Sequence, residues 1–180
     1  MITEGPSHSA NFAFLAEHDP LFIKITTTAE QVFSSDPNTT LMKLRQFAEA
    51  LAQNIAVRLN IATEGNPSQQ ELLYRLDREL QFDPAIRQLF HTLRLEGNRA
   101  THQFQTPHRE AMDALKIARA LAIWFHQTFG KNNDAFNPGP FVPPRDPSEQ
   151  LRKSQAAIES LKQGLLAALS GTKRGRRKTR

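Results

Sequence analysis

Gly97-Asn98-Arg99-Ala100-Thr101-His102 is the one stretch of this sequence whose residue types and spacing match a known chemistry. Metal-free cleavage of RNA needs a base to take the 2′-hydroxyl proton and a cation to hold the charge that builds on the phosphorane. His102 supplies an imidazole, and Asn98 lies four residues before it. Arg94 and Arg99 are the nearby guanidinium groups, and on a regular helix Arg99 shares a face with His102 at a spacing of three. The same residues also make a sound turn between two helices. Gly97 would then end one helix, Asn98 would take a left-handed or turn conformation, and His102 would cap or pack in the turn. Short motifs of this kind arise often by chance, so spacing favours the turn over catalysis.

Other chemistries find no residues to carry them. There is no cysteine, which excludes a disulfide framework, a thiolate zinc site and a cysteine nucleophile, and fits a reducing cytoplasm. Neither Gly130-Lys131 nor Gly171-Thr172-Lys173 completes a P-loop, and no HExxH or EF-hand pattern occurs. The six histidines are scattered. His91 and His102 are the candidate pair, but two imidazoles without nearby carboxylates make a poor metal site. The expectation is no metal, no cofactor, and histidines that serve as isolated polar or capping groups.

The net charge of +5 belongs to the end of the chain. Lys173, Arg174, Arg176, Arg177, Lys178 and Arg180 fall in the last eight positions with no acid among them, and leaving them out turns +5 into −1 for residues 1–172. A dedicated nucleic-acid-binding domain carries its basic patch on the folded body. These six side chains are therefore candidates only for weak, sequence-independent phosphate contact, and a solvated charged end explains them as well. Met1 to Ala10 lacks an apolar signal segment, and no apolar run approaches the roughly 20 residues that cross a bilayer.

The elements that must position Asn98 and His102 are helical throughout. Asp19-Pro20, Asp36-Pro37 and Asp83-Pro84 each pair an acidic cap with a proline in the first turn, and Thr106-Pro107 reads as a fourth start. The first helix carries Leu21, Ile25, Ala29 and Val32, and the second carries Leu41, Leu44, Ala48, Leu51 and Ile55. Ser68 with Glu71 forms a capping-box pattern ahead of Leu72, Leu73, Leu76 and Leu80. The segment to Phe129 is apolar on most sides and reads as the central buried helix. The expected organisation is an all-α bundle of about five helices over 11–131, after an unfolded lead over 1–10. A proline-stiffened strap follows over 132–147, then an outlying helix over 148–170 and a basic unfolded tail over 171–180. Leu151, Ile158, Leu161 and Leu165 keep close to a heptad seam, which points to a helical partner or to packing back on the bundle.

Several blocks taken together resemble one family. SANFAFL, SSDPNTTLMKLRQFAEALA, FHTLRLEGNRATH, ALAIWFHQTFG and FNPGPFVPP are similar to the N-terminal helical domain of type I restriction enzyme R subunits, over about Ser9 to Pro144. That domain is held to be related to the HEPN superfamily of helical, nucleic-acid-associated domains. The resemblance implies a HEPN-like bundle working inside a cytoplasmic restriction-modification complex that defends against foreign DNA. Active HEPN ribonucleases place an arginine before a polar residue, then three variable residues and the histidine. Asn98 and His102 match that pattern, and Gly97 stands where the arginine belongs. The resemblance therefore implies a non-catalytic interaction or assembly domain, docking on other subunits, without the motor and nuclease that follow in R subunits. The runner-up is a metal-independent ribonuclease with a displaced arginine from Arg94 or Arg99, acting as a homodimer with two His102 sites face to face.

Overall fold

A computed structural model describes residues 9–63, 65–131 and 136–174 of the chain. The described residues are helical or irregular and contain no strand. A short 3-10 turn at Ala13–Glu17 is followed by α1 (Pro20–Val32), α2 (Pro37–Arg58), α3 (Gln69–Leu80), α4 (Pro84–His102), α5 (His108–Phe129) and α6 (Pro147–Arg174). Two compact units result, Met1–Arg145 and Asp146–Arg180.

The acidic starts work as the sequence indicates. Asp19, Asp36 and Asp83 each accept a hydrogen bond from a first-turn backbone N–H, at 2.8, 2.9 and 2.8 Å. These bonds satisfy amides that have no partner inside the helix. The Thr39 hydroxyl, helped by its backbone N–H, holds the Asp36 carboxyl below the usual carboxylate range. Ser68 and Glu71 form a full capping box at the start of α3. The fourth start differs. Pro107 is the N-cap of α5 and gives no side-chain bond, while the Thr106 hydroxyl instead donates to Asn38 Oδ1 at 2.8 Å.

Three expectations about packing change. The first helix buries Phe22, Thr26 and Ala29 and leaves Leu21 exposed, because the aromatic Phe22 wins the core side over its neighbour. The centre of the bundle is α2, which packs against α1, α3, α4 and α5, whereas α5 meets α2 and α4. Ser9, assigned by sequence to an unfolded lead, is buried and accepts from the N–H groups of Asn11 and Phe12 at 3.2 and 3.0 Å. The core itself is aromatic, with Phe12, Phe22, Phe33, Phe47, Phe90 and Phe125 fully buried. Phe12, Phe22, Phe47 and Phe125 meet edge to face with centroids 5.6–6.0 Å apart.

Gly97 does not end a helix. It is buried inside α4, where α2 comes so close that an added Cβ would lie 2.3 Å from Arg45 Cβ and 2.8 Å from Arg45 Cδ. The Arg45 stem packs along this groove. Its Nη2 reaches Glu49 at 3.0 Å, while its Nε is buried without a partner. Glycine here serves a helix-helix crossing and not a turn.

The proline strap is fastened to the bundle by polar groups. Asn11 Nδ2 donates to the Val142 carbonyl and Val142 N–H donates to Asn11 Oδ1, both at 2.8 Å. The buried Arg119 guanidinium on α5 donates to the carbonyls of Pro138, Gly139 and Asn11 at 2.6, 2.8 and 3.3 Å. Gly139 takes a left-handed φ of 64° at this point. Among the described residues, α6 carries its apolar side chains in the open. Leu151, Ile158, Leu161, Leu165, Leu166 and Leu169 are each 58% exposed or more.

Three substitutions test these contacts. Replacing an interior helical glycine with alanine ordinarily stabilises by about 0.5–1 kcal/mol. Gly97→Ala is expected to reverse the sign and lower urea stability by about 1–3 kcal/mol, as overpacking does. Gly164→Ala, where an added Cβ meets nothing within 4 Å, raises helicity in circular dichroism. Arg119→Met leaves buried carbonyls unpaired at a cost of about 1–3 kcal/mol. It also exposes the strap to limited proteolysis while the bundle remains helical.

Candidate functional site

Asn98 and His102 lie on the last two turns of α4, one helical turn apart. His102 is exposed at the C-terminal end, where a basic side chain is favoured by the helix dipole. The turn that follows is held from α2. Asn38 Nδ2 donates to the Ala100 carbonyl at 2.8 Å while its Oδ1 accepts from Thr106, so one amide joins both sides of the α4–α5 connection. Sequence reasoning missed Asn38. Its only trace is its place directly after Asp36-Pro37.

The structure does not bring an arginine to the His102 imidazole by the expected route. Arg99 is on the exposed surface, and its Nη2 is held by the carboxylates of Glu96 on α4 and Glu110 on α5. Those two acids neutralise the guanidinium and compete with any phosphate for it. Arg94 lies two turns before His102, about 12 Å along the axis. It lines a cavity of about 260 Å³ between α3 and α4 with Tyr74, Phe82, Phe90 and His91. Arg87 and Asp77, which also line the cavity, form a two-point bond, both contacts at 3.0 Å. At position 97 the Arg45 stem already fills the space an arginine side chain would need. His91 and His102, considered as a pair in the sequence, are three turns apart on one helix, about 16 Å. Of the basic end, Lys173 and Arg174 fall in the last turn of α6, while Arg176, Arg177, Lys178 and Arg180 lie outside the described residues.

A second cluster forms where the sequence showed only scattered histidines. Glu17 closes the 3-10 turn, His18 follows it, and His126 sits in the last turn of α5. His18 Nε2 and His126 Nδ1 are 3.0 Å apart, and Glu17 Oε1 lies 3.6 and 3.7 Å from them. Both imidazoles are buried, at 2% and 7% side-chain exposure, and the Glu17 side chain is 40% exposed. Phe125 stands edge-on to His18 with centroids 4.8 Å apart, and Phe14 and Phe136 enclose His126 at 5.3 and 4.2 Å. Arg58, the last residue of α2, places Nη2 3.2 Å from His18 Nδ1 and its guanidinium over the Phe125 ring. Burial pushes the His18 imidazole down to about 4; Glu17 opposes that shift, and Arg58 and His126 add to it. No spacing rule links residues 17, 18 and 126. Only the packing of the lead-in against α5 joins them.

A family model described as "Domain of unknown function (DUF4145)" matches residues 27–134. The chain belongs to this family. The DUF4145 match takes in α2 to α5 and therefore Gly97, Asn98 and His102, but begins after Asn11, Glu17 and His18. The chain is also 31% identical over 177 residues to the type I restriction enzyme EcoKI endonuclease subunit of Escherichia coli (strain K12). That similarity covers 89% of this chain, which spans 15% of the length of the relative. No solved structure matches the chain.

The His18 shift sets a pH dependence. A histidine whose folded pKa lies below its unfolded value near 6.5 binds more protons when unfolded, so stability is complete above that value and is lost as pH falls toward 4. Urea unfolding midpoints of the wild type are expected to drop between pH 7 and pH 4.5. The drop becomes smaller in His18→Gln. An equal drop in both proteins would show that His18 does not contribute to it.

Proposed function

We propose that this chain is a non-catalytic helical assembly domain of a type I restriction system, in the manner of the R subunit it resembles. Its role is to dock on the other parts of a cytoplasmic restriction-modification complex. The observation that carries this reading is the row of exposed leucines on α6, joined to a similarity that spans 15% of a restriction endonuclease subunit. A helix with an open apolar face gains by packing it, since most helical stability in proteins comes from tertiary packing of such a face. The occupant we assign is a helical surface of the restriction complex itself. Fully exposed Phe104, just beyond His102, offers a second apolar anchor.

The geometry around His102 supports the absence of catalysis. Gly97 has no room for a side chain, Arg99 is tied by two carboxylates, and Arg94 faces a separate cavity. Asn98 and His102 keep their spacing because α4 is continuous, so a HEPN-like bundle can retain this signature without cleaving RNA. The basic end of the chain adds, in this reading, a weak salt-sensitive contact with nucleic acid.

The tagged chain, expressed in cells that carry a type I restriction system, is expected to co-purify restriction subunits identifiable by mass spectrometry. Ile158→Asp with Leu165→Asp abolishes that recovery without loss of the bundle's helicity. Recovery unchanged by the double substitution, or a chain that stays monomeric with no restriction subunit bound, defeats the docking role. Incubation with single-stranded RNA and no metal is expected to give no cleavage. Cleavage that disappears in His102→Ala would reinstate the ribonuclease.

A further inference from the structure

The Glu17, His18 and His126 cluster has a geometry that neither the restriction relative nor the His102 region accounts for. Two imidazole nitrogens and one carboxylate oxygen form a triangle with edges of 3.0, 3.6 and 3.7 Å. All three ligand atoms lie within 4.8 Å of one another. A tetrahedral zinc ion, with bonds of about 2.0–2.2 Å to nitrogen and oxygen, separates its ligands by about 3.3–3.5 Å. The observed triangle therefore matches one face of a coordination tetrahedron to within a few tenths of an ångström.

We propose that Glu17, His18 and His126 form a three-point site for a divalent transition-metal cation of the zinc class. The donor set, two imidazole nitrogens and one carboxylate, suits zinc and its neighbours over magnesium or calcium, which take oxygen ligands. Phe14, Phe125 and Phe136 form an apolar wall behind the imidazoles, which limits solvent access and holds the rings in place. The partly exposed Glu17 leaves the solvent side open, so the fourth position falls to water or to an external ligand.

Without a cation, the Arg58 guanidinium donates to His18 Nδ1. The His18 proton is then on Nε2, where it bridges to His126 Nδ1 at 3.0 Å. Ligation through Nε2 moves that proton to Nδ1, and the guanidinium must leave, since two donors cannot face each other. Arg58 is exposed at the end of α2, and its Nε is bonded to Asn54 Oδ1 at 2.6 Å. It has room to leave, and it is a built-in competitor of the cation. Arg58 thus gives the proposal a test that a surface histidine pair would not pass.

The full chain is titrated with Zn²⁺ in a non-chelating buffer and followed calorimetrically, with Co²⁺ absorption as a readout of coordination geometry. One cation binds per chain, and the cobalt adduct shows the intense visible bands of a four-coordinate site. Glu17→Ala and His18→Asn each weaken binding at least about tenfold. These two variants carry the test because His126 lies in the core, and circular dichroism verifies their fold. Arg58→Ala tightens binding, and the pair His91→Ala with His102→Ala leaves it unchanged. The proposal is overturned by the absence of saturable binding, by affinity retained in Glu17→Ala or His18→Asn, or by an Arg58→Ala variant that binds no more tightly than the wild type.

Discussion

The bundle is organised around the close crossing of α2 and α4 at Gly97. Helices ordinarily pack with axes about 8–10 Å apart, set by the side chains between them. Here one partner contributes no side chain and the other contributes the methylene stem of Arg45. The short separation lets Phe47, Leu51 and Ile55 on α2 share a core with Phe90 and Leu93 on α4. It also brings Asn38 within reach of the Ala100 carbonyl and Thr106. A residue with a Cβ at 97 forces the helices apart and loosens each of these contacts. The glycine that removes the expected catalytic arginine is thus explained by packing alone.

Polar groups finish what the aromatic core begins. Asn11, Asn38 and Arg119 each join segments distant in sequence, and each satisfies backbone groups that a helix end or an irregular segment leaves unpaired. Arg119 is the costliest of the three, because a guanidinium has been taken largely out of water. Three carbonyl oxygens offset that cost, and two of them belong to a strap whose prolines rule out helix. Two of the blocks by which the chain resembles restriction R subunits are joined by Asn11 and Arg119, with Arg119 supplied from just outside a third. SANFAFL supplies Asn11, the segment before ALAIWFHQTFG supplies Arg119, and FNPGPFVPP supplies the acceptors.

Chemical interest moves as a result from one end of the bundle to another part of it. The residues around His102 are spaced along a single helix, and its arginines are occupied or remote. Glu17, His18 and His126 have no common motif, yet they converge in a cluster with buried nitrogens and a partly exposed carboxylate. Arg58 joins them from the end of α2, so the 3-10 turn, α2 and α5 all contribute to one charged cluster.

Local signals along the chain specify the elements. Asp-Pro starts, the Ser68–Glu71 box, leucine spacing and the proline run are local signals, and each acts over one or two helical turns. They gave an all-α chain and most helix boundaries. They failed at Gly97 and at Leu21. A glycine near a helix end is read as a stop, and a helix face is read from its aliphatic residues, unless the partner helix is known. Packing in three dimensions makes α2 the hub and Gly97 a crossing point, neutralises Arg99, and brings His18 to His126 across 108 residues. Each of these depends on which surfaces face each other at a distance of a few ångströms, and periodicity along one chain carries no such information.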